Sequence, residues 1–192
     1  MYEQYVDVHI YTHYTPVNRL PAVETNGFDF TAKYGFELGA HGFDITVQGT
    51  SVDEINNFEN PLDPSFANPE LMELNRPEFA GNVFLNWTFG DLLVGWQSQY
   101  LGEMLFSGVE SETYMTLYGP IVLNEEFWQH DLSASYLVND QLMVYGGIKN
   151  VTDEQPFITE NAFPASPRGT FFFIGLDWSM LDQRLKTYER PG

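Results

Sequence analysis

The feature that most restricts how this chain can fold is an alternation of apolar and polar residues with a period of two, repeated along nearly its whole length. Val6, Val8 and Ile10 alternate with Asp7, His9 and Tyr11; Phe28, Phe30, Ala32, Tyr34 and Phe36 with Asp29, Thr31, Lys33 and Gly35; Phe43, Ile45 and Val47 with Asp44, Thr46 and Gln48. The same pattern runs through residues 79–89, 94–100, 130–137, 142–149 and 170–180. Successive side chains on a strand point to opposite faces, so each run predicts a strand with one apolar and one more polar face. The chain therefore reads as about eight antiparallel strands.

The connections between these runs follow a rule of their own. Residues 12–25 form a long one, 37–41 a short one, 51–76 a long one and Gly90-Asp91 a short one. Residues 102–126 are again long, 138–141 short and 152–167 long. Short turns at one end of a sheet and long loops at the other are the pattern of an outer-membrane barrel, with the short turns in the periplasm. The apolar faces carry no Lys, Arg, Asp or Glu, whereas the opposite faces carry Asp29, Lys33, Asp44, Asp131, Lys149 and Asp177. A Lys or Arg at the midplane of a bilayer costs roughly 2–4 kcal/mol, which would enforce that rule. A soluble sandwich also keeps charge off its inner face, so aromatic placement has to separate the two. Phe36, Phe43, Phe89, Tyr136 and Trp178 fall near the short turns, and Phe28, Phe79, Tyr100, Phe127, Trp128 and Phe172 near the long loops. Two such belts are what the two interfaces of a membrane require. The expected class is all-β: an antiparallel transmembrane β-barrel segment with short periplasmic turns and long extracellular loops.

Composition removes other classes. There is no cysteine, hence neither a disulfide framework nor a thiolate metal site. No stretch approaches the roughly 18 consecutive apolar residues of a spanning helix, so any membrane crossing is by strands. A net charge of −19 with only eight Lys and Arg excludes nucleic acid as a partner, since phosphate binding is built from those residues. The opening MYEQYVDVHIY lacks the basic and apolar regions of a secretory signal and reads as a strand, so the expectation is a piece of a longer protein.

Residues 129–156 read QHDLSASYLVNDQLMVYGGIKNVTDEQP, two alternating arms about a polar turn followed by an exit rich in short polar side chains. This stretch resembles the last hairpins of TonB-dependent outer-membrane receptors, which carry a DLSASY-like strand and then a G-V-x-N-L-F-D-like strand. Asp131, Leu132, Tyr136, Lys149, Asn150 and Asp153 carry the likeness, and Thr152 stands where the family has an aromatic. Residues 23–29, VETNGFD, are similar to the family's V-E-T-x-G-V-D strand entry, and the resemblance extends to Trp178.

That resemblance implies a barrel of about 22 strands around an N-terminal plug, on which the inner-membrane protein TonB pulls to admit a siderophore, cobalamin, haem or glycan. Residues 1–180 would be the C-terminal part of the barrel and 181–192 a tail beyond the family's usual end. The plug and the TonB box would lie outside the chain, so TonB would act only through them. The implied partners are outer-membrane lipid and lipopolysaccharide, the remaining strands and plug, and the imported ligand. The implied location is the bacterial outer membrane.

No enzyme and no cofactor is expected. His130, Asp131 and Ser133 suggest a hydrolytic triad, but alternation sends His130 to the face opposite the other two. Asp7, His9 and His13 share one face of the first strand, roughly 7 Å between alternate residues. They are lumen-facing candidates for contact with a metal chelate, or ordinary polar lumen residues. Acids crowd the long loops, among them Asp53, Glu54, Glu59, Asp63, Glu70, Glu73, Glu103, Glu110 and Glu112, without the spacing of a calcium loop. They read as a solvated acidic surface. The competing reading is a soluble or self-closing small β-barrel, a binding or adhesion module with acidic loops.

Overall fold

A computed structural model of the chain describes residues 5–14, 22–58, 63, 65–106, 111–157 and 163–179. Its strands, in chain order, are β1 (Tyr5–Tyr14), β2 (Ala22–Leu38), β3 (His41–Phe58), β4 (Asn68–Pro69), β5 (Phe79–Phe89) and β6 (Leu92–Leu101). There follow β7 (Met104–Leu105), helix α1 (Ser111–Tyr118), a short 3-10 turn (Gly119–Val122), β8 (Leu123–Asn124), β9 (Phe127–Asn139), β10 (Leu142–Lys149) and β11 (Phe171–Trp178). Eight long strands form one antiparallel sheet in the order β1-β2-β3-β5-β6-β9-β10-β11, with β4 attached to β3 and β7 paired with β8 apart from it. Every long strand pairs with its neighbour in sequence, as the alternating runs predicted. Among the described residues the sheet is open, because β1 and β11 do not pair.

Register makes the predicted faces continuous. Val6 lies opposite Tyr34, Tyr34 opposite Ile45, Ile45 opposite Leu85, Leu85 opposite Trp96, and Trp96 opposite Leu132. Leu132 pairs with Ile148, and Ile148 with Phe172. Antiparallel partners share a face, so one apolar row crosses all eight strands. Rows of aromatic rings bound that face at both ends. Near the short turns Phe36 stacks on Phe43 and His41 on Phe89, with centroids 4.9 and 4.5 Å apart. Near the long loops Phe30, Phe79, Tyr100 and Trp128 make successive contacts of 6.4, 5.8 and 4.7 Å. The 11-residue β5 runs roughly 33 Å along its axis. At a tilt of about 40° that spans the ~25 Å apolar band of an outer-membrane barrel.

The tight turns are Gly39-Ala40, Gly90-Asp91 and Asp140-Gln141. Gly39 and Gly90 have φ of 65° and 57°, the left-handed region that a two-residue hairpin demands. The short connections are therefore tighter than 37–41 and 138–141.

Several expectations need correction. β2 and β3 extend well into the expected loops, since Ala22–Leu38 and His41–Phe58 remain paired beyond a bulge at Asn26/Gly27. Backbone pairing carries this hairpin past the apolar band, where no apolar face is needed. The loop expected over 102–126 contains α1 and the β7-β8 ladder. Phe127 does not belong to the outer belt. It pairs with Leu101 on the inward face, is fully buried, and meets Phe157 edge-on at 6.0 Å. Adjacent strand residues cannot both face lipid, and Trp128 takes the outward place.

The buried apolar side chains of the described residues are Met104, Leu105, Val122, Phe127 and Ala165. All lie at the long-loop end. The Leu105 amide donates to the Met72 carbonyl at 2.6 Å, which ties this loop to the one before it, and within the loop the Phe106 amide donates to the Val122 carbonyl at 3.3 Å. The wall has no core of its own: Ile174 is 83% exposed and Phe172 69%.

Candidate functional site

The motif residues of the hairpin form a clasp at the long-loop rim of the inward face. β9 brings up Asp131 and β10 brings up Lys149, whose ammonium donates to Asp131 Oδ2 at 2.7 Å. Asp131 Oδ1 accepts the Asn150 backbone N–H at 2.8 Å and Gln129 Nε2 at 3.1 Å. Asn150 is only 3% exposed, with φ at 52°, a conformation Asn adopts more readily than most residues. Its side chain closes on Glu154 in both directions, accepting the amide and donating to the carbonyl at 2.8 Å each. Thr170 then ties the start of β11 to the same knot: its hydroxyl donates to the Asn150 carbonyl at 2.8 Å and its amide to Asp153 Oδ1 at 3.1 Å. A buried polar network is favourable only when its members are partnered, and this one is dense with partners.

Of the motif residues, then, Asp131, Lys149, Asn150 and Asp153 converge. Leu132 and Tyr136 do not; both face outward in the apolar rows. The sequence did not identify Gln129, Thr170 and Gly169, which complete the clasp. Gly169 has φ of 64°, and a Cβ there would collide with the Asp153 carboxylate.

Beside the clasp lies a hollow of about 370 Å³, lined by Gln99, Gln129, Asp131, Lys149, Arg168 and Phe171 among others. Its walls mix carboxamides, the Asp131–Lys149 ion pair, Arg168 and an aromatic ring. Register continues the carboxamides along the inward face, since Gln48 lies opposite Asn82, Asn82 opposite Gln99, and Gln99 opposite Gln129. Such a surface offers donors and acceptors to a polar ligand in the lumen.

Asp7, His9 and His13 occupy inward register positions on β1, opposite Lys33, Thr31 and Gly27. The side chains of Asp7 and His13 lie outside the described residues; that of His9 is exposed. β1 is separated from β9 by four strands in the sheet, so these residues and the clasp are distinct places. Among the described residues no group of three or more His, Asp or Glu is arranged to hold a metal ion. His130 faces outward opposite Ser98, while Asp131 and Ser133 face inward opposite Gln97 and Gly95, so no triad forms.

In the loops, Glu70 and Glu73 are buried and share one guanidinium, with Arg76 at 2.6 and 2.7 Å. Asn57 Nδ2 also donates to Glu70 Oε1 at 2.8 Å. The acids that the sequence assigned to a solvated surface therefore include two that hold the second loop closed.

An open antiparallel sheet with one uncharged, ring-bounded apolar face and one polar face is the wall of a transmembrane β-barrel. No helix among the described residues is long and apolar enough to cross a membrane. A family model described as TonB dependent receptor-like, beta-barrel, matches residues 3–151, and the chain belongs to that family. It is a family of outer-membrane receptors and transporters rather than enzymes. No curated protein and no solved structure matches the chain significantly.

Proposed function

We propose that the chain is the barrel-wall and extracellular-loop portion of a TonB-dependent receptor that takes up a siderophore, cobalamin, haem or glycan across the bacterial outer membrane. Residues 1–180 are the C-terminal part of the barrel in this reading and 181–192 a tail. The observation that carries it is the open sheet: among the described residues, eight long strands pair in sequence order and β1 and β11 do not pair with each other. Unpaired N–H and C=O groups are intolerable in lipid, so both edges call for further strands. They weigh against a self-closing small barrel and against a soluble adhesion module. Energy coupling belongs to the plug, and the contribution of these residues is passive: a lumen lined by the carboxamide row and the Asp131–Lys149 pair, and a loop cap above it. Asp7, His9 and His13 add polar ligand contacts on the opposite flank of this wall.

Uptake by the intact receptor, measured with labelled ligands of the four classes, should cease when the proton-motive force is collapsed. Uptake that continues undiminished would sink the assignment.

A further inference from the structure

The inward face of β10 and β11 carries rings where a wetted wall needs only polar groups. Phe171, Phe173 and Tyr145 all point inward, and Tyr145 and Phe171 are 40% and 48% exposed. Two of the rings recline on the sheet. Tyr145 and Phe173 are the register partners of Gly175 and Gly147, and a Cβ on either glycine would run into the ring opposite, with Phe173 Cζ 2.8 Å from the one on Gly147. Each side chain thus lies across bare backbone of the neighbouring strand and turns its free side to the lumen. Register sets the three rings at successive levels down the wall. Phe171 lies at the long-loop rim, Phe173 two residues deeper, and Tyr145, over Gly175, two deeper again toward the short turn, in steps of roughly 7 Å. Polar groups flank every level: the Asp131–Lys149 pair beside Phe171, Ser133 level with Phe173, and Ser135 level with Tyr145. The hollow at the clasp continues into a second of about 120 Å³, lined by Phe84, Gln97, Ser133 and Phe173, with Asp131 and Lys149 in the lining of both.

We propose that this strip is a track for a neutral oligosaccharide, whose sugar rings stack in turn on Phe171, Phe173 and Tyr145 while their hydroxyls meet the polar groups alongside. The inference rests on the receptor reading above and selects the glycan among its four ligand classes. A pyranose has a C–H face that buries against an aromatic ring and a rim of hydroxyls that both donate and accept. The strip supplies both at each level, a ring with a hydroxyl or an ion pair next to it. A haem needs one continuous apolar slot for its macrocycle, and here polar side chains border every ring. A ferric siderophore or a cobalamin is a single compact body, served by one hollow; three like levels in a row fit a ligand that is itself a repeat. Charge agrees. Asp131 and Lys149 neutralise one another, and a chain of net charge −19 disfavours an anionic chelate at the rim.

The test is isothermal titration calorimetry on the intact receptor in detergent micelles, with maltohexaose, cellohexaose, laminarihexaose and xylohexaose as probes. At least one should bind, and its disaccharide should bind roughly tenfold more weakly or worse, because it covers fewer rings. Phe173→Leu and Tyr145→Leu should each weaken the hexasaccharide roughly fivefold to tenfold. Phe173→Tyr should retain the affinity, and Phe172→Leu on the outward face should leave it unchanged, with heat-modifiable gel mobility confirming that each variant keeps its barrel. Failure of all four hexasaccharides to bind overturns the proposal. So does equal affinity for disaccharide and hexasaccharide, a comparison that requires no variant, or an affinity indifferent to both ring substitutions. If that failure accompanies uptake of a siderophore, cobalamin or haem that stops when the proton-motive force is collapsed, the track falls and the receptor reading stands.

Discussion

Replacing Leu85 with Arg gives the most direct measure of which face meets lipid. Leu85 lies on β5 between the ring belts at Phe79 and Phe89, opposite Ile45 on one side and Trp96 on the other. Strand rise and tilt place it about 15 Å from the first belt and about 10 Å from the second, close to the midplane. No carboxylate lies on the outward face between the belts to receive a guanidinium, so Leu85→Arg should cost roughly 2–4 kcal/mol. The adjacent Asn86 faces inward, opposite Asp44 and Gly95. Asn86→Arg meets water and a nearby acid, and should cost less than about 1 kcal/mol. The assay is urea unfolding of the receptor in dilauroylphosphatidylcholine vesicles, followed by tryptophan fluorescence. Equal penalties at the two positions would refute the lipid-facing assignment, and a larger one at Asn86 would invert it.

Other perturbations probe the clasp and the loops. Asn150→Ala removes both bonds to Glu154 and places a less tolerant residue at φ 52°; a loss of about 2–3 kcal/mol is expected, visible as faster amide exchange across residues 150–157. Gly169→Ala combines a left-handed backbone with a collision against Asp153; exchange at Thr170 should rise, while the β5-β6 ladder keeps its protection. Arg76→Met leaves Glu70 and Glu73 without their cation. Because the Arg76 side chain is 40% exposed, the cost should fall at the low end for a broken buried pair, about 3 kcal/mol, and appear as protease cleavage within residues 63–78.

The wall was legible because lipid imposes a two-residue pattern that no other force blurs: Val83, Leu85 and Trp87 announce their face without reference to any neighbour. What lay outside that constraint was harder to read. Residues 51–58 carry polar side chains on both faces and are held in β3 by backbone pairing to β2, which leaves no apolar trace. Helix α1 is short, and exposed at Leu117 and Tyr118, so it carries little of the apolar stripe that marks a packed helix. Phe127 was readable in principle, since its parity with Gln129 and Asp131 puts it inward. The clasp was half legible: Asp131 and Asn150 stood out as a motif, but their bonds to Gln129 and Thr170 depend on three strands meeting at one rim. For Asp7 and His13, whose side chains lie outside the described residues, the sequence remains the only guide.

The pairing of every long strand with its neighbour in sequence bears on how such walls change size. No ladder in the sheet spans another, so a hairpin together with one long loop can be inserted or deleted between neighbouring hairpins, and every pair away from that seam keeps its register and its partner. Adding two strands lengthens the circumference by about 10 Å, twice the strand spacing, and appends one long loop to the cap. Circumference and loop repertoire therefore grow together, in steps of one hairpin. A lineage can widen the lumen for a bulkier cargo by duplicating a segment the length of 79–126, one hairpin with its long loop, between walls whose ring belts are already in place.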